Sequence, residues 1–186
     1  MKNTNHSLFD KYEMIKDLGT GSSGSVTLVR HISMDQERAL KKVPKASAFA
    51  ESALSEARLL KSLEHPSIPR IFDFEEDDAF YYIVEEYIDG ETLDSFLLHQ
   101  QLISPGLFFN ICEQLCNVFI YLHTQISTPI IYRDLKPEHI IVCHNKLKLI
   151  DYGVSAYVIQ DGNNFNHYGN IEFSAPECFT EDTITP

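Results

Sequence analysis

The chain has 186 residues, 44% of them hydrophobic, enough to bury a core and to suggest one domain or two small lobes. Its 15 Lys and Arg against 27 Asp and Glu leave a net charge of -12, which repels a phosphate backbone and argues against a nucleic-acid partner. No apolar run reaches the roughly 18 residues of a membrane helix, the polar start Met1-Lys2-Asn3-Thr4-Asn5 has no signal-peptide core, and Cys112, Cys116, Cys143 and Cys178 form no CxxC pair, so neither a disulfide framework nor a zinc site is expected and a reducing, cytoplasmic compartment is.

Short apolar or alternating runs at 12–18, 25–30 and 36–43, separated by Gly- and Asp-containing punctuation, predict three antiparallel strands. Between the first two lies Gly19-Thr20-Gly21-Ser22-Ser23-Gly24-Ser25-Val26. Glycines let a hairpin approach phosphates closely and turn backbone N–H groups toward their oxygens. Such a string is a weak sign by itself. Its dinucleotide-binding form needs a helix directly after the glycines, whereas Val26-Thr27-Leu28-Val29 is a strand pattern, so a phosphate-covering hairpin fits better. In Ala39-Leu40-Lys41-Lys42-Val43, alternation puts Ala39 and Lys41 on one face, although a strand lysine is ordinarily solvated. On the following helix, at 100° per residue, Leu59, Leu60 and Leu63 fall within about 60° of Glu56, while Glu51, Arg58 and Lys61 point away. A carboxylate in the middle of an apolar stripe is costly unless it finds a cation or escapes to solvent.

His65-Pro66 ends this helix region, and 71–75 with 79–84 predict a hairpin around Glu75-Glu76-Asp77-Asp78. The segment Tyr82 to Gly90 reads as a buried strand running into a turn. Ser104-Pro105 is an N-cap with a first-turn proline, and Phe108, Ile111, Leu115, Val118, Phe119 and Leu122 then recur at helical spacing, which predicts a core helix with Cys112 and Cys116 packed one turn apart. After it, Ile131-Tyr132-Arg133-Asp134-Leu135-Lys136-Pro137-Glu138-His139-Ile140-Ile141-Val142 sets a charged, proline-stopped loop between two apolar runs. Ile140 to Cys143 and Leu147 to Ile150 predict a hairpin around His144-Asn145 that delivers Asp151-Tyr152-Gly153 beside the loop.

The string Arg133-Asp134-Leu135-Lys136-Pro137-Glu138 resembles the catalytic loop of eukaryotic-type Ser/Thr protein kinases. Asp151-Tyr152-Gly153 resembles that family's metal-binding Asp-Phe-Gly, and Ala175-Pro176-Glu177 resembles the close of its activation segment. The resemblance implies an α+β, two-lobed fold: an N-terminal lobe over 1–86 with a five-stranded antiparallel sheet and one main helix, a hinge at 87–91, and a mostly helical lobe over 92–186 whose later helices would follow Pro186. It implies ATP and a protein substrate as partners, and magnesium, or manganese in its place, as the metal. By resemblance, Asp134 and Lys136 are catalytic, and Lys41 faces the phosphates with Glu56 as its ion-pair partner. Gly19, Gly21, Gly24, Val26, Ala39 and Ile141 belong to the nucleotide site, backbone groups of Glu86 and Ile88 meet the adenine, and Asp151 is a metal ligand. Lys136, two residues after the Asp, follows the Ser/Thr-specific pattern, and the wording of 8–13 and 132–137 resembles bacterial members.

Four positions depart from the family pattern. Glu85 takes a gatekeeper position that is more often uncharged, and Tyr132 replaces the usual His. Asn170 stands where Thr is usual. His139 stands where the family has Asn as the second metal ligand, and an imidazole nitrogen suits magnesium less well than an oxygen. Between Ser155 and Ser174 there is no Ser or Thr to phosphorylate. A second implied reading is therefore a nucleotide-binding pseudokinase. A third, a small-molecule kinase of the aminoglycoside type, generally lacks the Lys-Pro-Glu string.

Overall fold

The computed structural model of the protein describes residues 8–21, 24–99, 102–157 and 172–174; Ser22, Ser23, Asn170, Cys178 and the Ala175-Pro176-Glu177 string lie outside the described residues. The chain divides into two units, a first running to Leu63 and taking up again at Pro69–Tyr87, and a second made of Glu64–Ile68 and everything from Ile88 on.

In the first unit, β1 (Tyr12–Gly21), β2 (Gly24–His31), β3 (Gln36–Pro44), β4 (Ile71–Glu76) and β5 (Phe80–Glu86) form one antiparallel sheet in the order β1-β2-β3-β5-β4. The period-2 alternation divides its side chains cleanly. Val29, Leu40, Tyr82 and Val84 gather on one face, and Val43 and Ile83 gather on the other with Ala53 and Ala57 of α2 (Ala50–Lys61). Small residues on that side of α2 let it come close to the strands. Leu59, Leu60 and Leu63 are buried as the stripe predicts, each worth about 1.5–3 kcal/mol of burial.

A short helix, α1 (Leu8–Lys11), closes the opposite face. Leu8 is fully buried against Tyr12, Val29, Leu40 and Tyr82, its N–H donates to Glu75 Oε2 at 2.8 Å, and Lys11 pairs with Asp73 at 2.7 Å. β1 is an edge strand, exposed beyond Tyr12, and it carries register shifts at Met14/Lys16 and Asp17/Gly19. Bulges of this kind blunt an edge against pairing with other chains.

The second unit is built around α4 (Pro105–Ile120), capped by Ser104 Oγ, which accepts from Leu107 N–H, and continued by a π-helical turn at Tyr121–Gln125. β6 (Glu91–Thr92), β8 (Ile140–Cys143) and β9 (Lys146–Leu149) make a three-stranded sheet, and β7 (Ile130–Ile131) pairs with β10 (Ala156–Tyr157); α3 (Leu93–His99) follows β6. His144 and Asn145 both have positive φ, the geometry of a two-residue hairpin turn, and Gln114 of α4 clamps that hairpin by donating to Asn145 O and accepting from Leu147 N–H. Leu149 N–H donates to Ser67 O and Lys148 Nζ to Ile68 O, which attaches 64–68 to this unit.

α4 is covered along only part of its stripe: Val118 and, in the π turn, Leu122 are buried, but Phe108 is 53% and the neighbouring Phe109 68% exposed. One expectation, that both helix cysteines are packed, needs correction. Cys116 is exposed and Cys112 only half-buried. Helical periodicity reports a face that can be covered, and within α4 only Val118, near its C-terminal end, is buried.

Candidate catalytic site

In the first unit the site begins with an ion pair. Alternation turns Lys41 of β3 to the α2 side with Val43, and Glu56 reaches it from the helix, Nζ to Oε2 at 2.7 Å; their side chains are 20% and 9% exposed. The buried carboxylate predicted from the leucine stripe thus has its cation. Val26 lies opposite Lys41 in register, and Ala39, which is buried, lies opposite Glu85. Glu86 closes β5, its N–H donating to Arg70 O at 2.9 Å.

The glycines of the hairpin separate into two kinds. Gly24 has φ +140°, and a Cβ there would lie 2.1 Å from Lys42 O, so the fold itself requires glycine. A Cβ on Gly19 or Gly21 would meet nothing within 4 Å, so no packing demand explains those two among the described residues. In the second unit Gly90, just past Ile88, is required by packing: its Cβ would lie 2.5 Å from Val142 O, next to Ile141 on β8.

The second unit gathers the charged loop. Asp134 Oδ2 lies 3.1 Å from Lys136 Nζ and 3.4 Å from His139 Nδ1. His139 is buried on a short 3-10 turn, Pro137–His139, with its N–H on Lys136 O at 3.0 Å and its carbonyl accepting from Ile150 N–H at 2.8 Å. Its ring stands between the two aspartates: Nδ1 is 3.0 Å from Asp134 O, and Nε2 is 3.4 Å from Asp151 Oδ2. The Tyr132 hydroxyl donates to Ile150 O and lies 3.4 Å from His139 Nδ1, while the Tyr132 ring packs edge-on against Tyr152. Arg133 and Asp151 hold φ values of 73° and 63°, uncommon for residues with a side chain. Gly153 N–H steadies the Asp151 carboxylate at 3.3 Å.

Asp151 offers the carboxylate oxygen that a divalent cation takes, and His139 stands next to it. A carbonyl oxygen only accepts, so Nδ1 of His139 donates to Asp134 O, while Nε2 faces an Asp151 carboxylate oxygen. Among the described residues no group of three or more His, Cys, Asp or Glu is arranged to hold a metal.

Sequence reading named every one of these charged residues but gave Tyr132 no task. A tyrosine at the end of the apolar run Ile130-Ile131 needs a hydroxyl partner once buried, and that need was the available signal.

A sheet of this order with a strand-to-helix Lys–Glu pair, and a long helix followed by an Asp-bearing loop and a hairpin ending in a second Asp, define the protein-kinase fold class. Residues 12–186 match the protein kinase domain, and the chain belongs to that family. It is 30% identical over 176 residues to serine/threonine-protein kinase PrkC of Bacillus subtilis, covering 90% of this chain and 26% of that protein. It is 33% identical over 167 residues to serine/threonine-protein kinase ppk25 of Schizosaccharomyces pombe, covering 87% and 39%. With calcium-dependent protein kinase 4 of Plasmodium falciparum the figures are 32% over 192 residues, covering 95% and 35%. The chain therefore spans about a quarter to two-fifths of the length of these relatives.

Proposed function

We propose that this chain carries the catalytic machinery of a Ser/Thr protein kinase, transferring the terminal phosphoryl group of ATP to a protein hydroxyl. The observation that carries the reading is the cluster on the charged loop, where Asp134 is flanked by Lys136 at 3.1 Å and tied through His139 to Asp151. Lys136 and His139 both address Oδ2 of Asp134, which directs Oδ1 to the substrate hydroxyl, whose proton it orients and accepts. Lys136 offsets the negative charge that spreads over the transferring phosphoryl group.

Lys41, held by Glu56, neutralises phosphate charge, and Gly19 and Gly21 admit phosphates where a Cβ would intrude on them. Gly24 shapes the same hairpin. Val26, Ala39 and Ile141 contact the base, and backbone groups of Glu86 and Ile88 hydrogen-bond it. Asp151, with His139, holds the metal, magnesium or manganese. That ion would supply positive charge against the phosphates. A cytoplasmic location accompanies this reading, supported by the free thiols of Cys112, Cys116 and Cys143, and the net charge of -12 speaks against nucleic acid as substrate. No described helix is long and apolar enough to cross a membrane.

The test is to incubate the chain with radiolabelled ATP and peptides bearing Ser, Thr or Tyr. Label on Ser or Thr that disappears in Asp134→Asn is expected; label on Tyr alone, or undiminished in Asp134→Asn, overturns the reading. One observation favours a second reading, nucleotide binding without transfer: the imidazole of His139 occupies the place of an oxygen ligand. In that case ATP with metal should stabilise the chain by about 2.7 kcal/mol at a hundredfold excess over Kd while no label is transferred.

A further inference from the structure

Beside α4, wholly within the second unit, lies a cavity of about 390 Å³, inside the range of roughly 300–1,000 Å³ typical of clefts that hold ligands. It is separate from the charged loop, since none of Asp134, Lys136, His139 or Asp151 lines it. Its frame is fixed by the fold. Nδ1 of His65 accepts from Ser67 N–H at 3.1 Å, and the His65 ring packs on Tyr121, whose hydroxyl accepts from Glu64 N–H at 2.8 Å. Ser67 O accepts from Leu149 N–H at 2.8 Å, and the Gln114 amide is engaged with Asn110, Asn145 and Leu147. Other polar groups on the lining are left over. Ser67 is only 5% exposed, and its hydroxyl has no hydrogen-bond partner among the described residues; the exposed side chains of Asn117, Gln125 and Lys146 have none there either.

These spare groups select a ligand. Each free amide offers both a donor and an acceptor, as an extended peptide backbone does, whereas an inorganic anion would use the donors alone. Lys146 puts a cation on the lining, and no carboxylate lines the cavity, in a chain whose net charge is -12. Ile120 and Leu147 supply apolar wall for a side chain to rest on. We propose that this cavity is a docking site for a partner protein and takes an extended segment in which an acidic residue adjoins an apolar one. Lys146 pairs with the carboxylate, Asn117 and Gln125 hydrogen-bond the segment's backbone, and the Ser67 hydroxyl meets one of its oxygens. The site stands apart from the catalytic assignment, because no residue of the charged loop takes part in it.

The test is fluorescence polarisation of the whole chain with labelled, end-capped hexapeptides of alternating Leu and Ala, identical but for a central Glu, Gln or Lys. Non-specific attraction to a chain of net charge -12 favours the Lys peptide, so tighter binding of the Glu peptide is both expected and diagnostic. Lys146→Glu should weaken the Glu peptide about five- to tenfold and turn the preference toward the Lys peptide. Asn117→Leu with Gln125→Leu should weaken the Glu and Gln peptides alike, because backbone contacts do not depend on the central charge. Lys16→Glu makes the same change of charge in the first unit and should leave the parent's preference in place. No binding of the Glu peptide at millimolar concentration, preference of the parent for the Lys peptide, or equal losses in Lys16→Glu and Lys146→Glu overturns the proposal. N-acetylglutamate bound as tightly as the Glu peptide would also overturn it, by making the cavity a small-molecule site. Amide resonances locate the contact: the Glu peptide should shift Ser67, Lys146 and Leu147, and shifts confined to other residues contradict the site.

Discussion

Replacing Lys41 by Met, Glu56 by Leu, and both together asks whether the buried ion pair stabilises the first unit or only places a cation. At 2.7 Å the two charges attract by about 6 kcal/mol at an effective dielectric of 20. Withdrawing them from water costs several kcal/mol per ion, so the intact pair is near break-even. Lys41→Met takes the ammonium from a carboxylate whose side chain is 9% exposed, and should cost about 3–5 kcal/mol. Glu56→Leu should cost less, about 1–2 kcal/mol, because Lys41 can lift its ammonium toward water on a long stem. The double variant sets Met and Leu among Val43, Ala53, Ala57 and Ile83 and should come within about 1 kcal/mol of the parent, or exceed it. The chain has no Trp, so urea unfolding is best followed by circular dichroism, with amide exchange in β3 and α2 assigning the change to the first unit. ATP binding should be lost in all variants lacking Lys41, stable or not. A double variant as unstable as the sum of the singles, or a Lys41→Met variant costing under about 1 kcal/mol, would refute the reasoning.

Three further outcomes are expected. Gly24→Ala should destabilise the first unit by roughly 2–4 kcal/mol, because the added methyl meets Lys42 O, whereas Gly19→Ala should change stability by under about 0.5 kcal/mol and weaken nucleotide binding; equal melting temperatures for the two would refute the distinction. Burial holds the His65 imidazole below its ordinary value, helped by nearby Lys148, and burial does the same to His123. The unfolded chain then takes up protons first, so their contribution is present above about pH 6.5 and is lost as pH falls below it. Denaturation midpoints between pH 7 and 5 should be flatter in a His65→Gln, His123→Gln variant, and an unchanged slope would contradict this. Phe108→Ser with Phe109→Ser should reduce binding of a hydrophobic dye and leave the melting temperature nearly unchanged, since both rings are more than half exposed; a large loss of stability would show that they are covered.

Local pattern made much of this molecule legible. Alternation in 36–43 puts Lys41 on the face it occupies, and the 100° rule finds Glu56 among leucines before any partner is known. Motif order brings Asp134, Lys136, His139 and Asp151 onto one loop and one hairpin end. What pattern could not supply was contact over distance. Tyr132 and Ile150 are 18 residues apart, and their hydrogen bond depends on how a hairpin folds back. Gln114 reads as a polar helix position, yet its amide holds the β8–β9 turn 31 residues on. On α4 the limit is the packing of Cys116, which is exposed, since periodicity marks an apolar face without saying what lies against it. Leu8 shows the same limit: the short Leu8-Phe9 pair ahead of the first predicted strand carries no period, and only the folded sheet reveals the cluster that Leu8 fills.

That small helix, α1, decides where the domain can be cut. A recombinant form begun at the first strand, at Tyr12, looks complete on paper because every strand of the sheet is kept. It would nevertheless remove Leu8 from the face shared by Val29, Leu40, Tyr82 and Val84, together with the bonds to Glu75 and Asp73. One buried leucine is worth about 1.5–3 kcal/mol, a large share of the 5–15 kcal/mol that holds a typical domain together, and the uncovered rings of Phe80 and Tyr82 would be open to other chains. Losing α1 would thus turn a folded unit into a sticky one, and the practical boundary for expression is Leu8 or earlier.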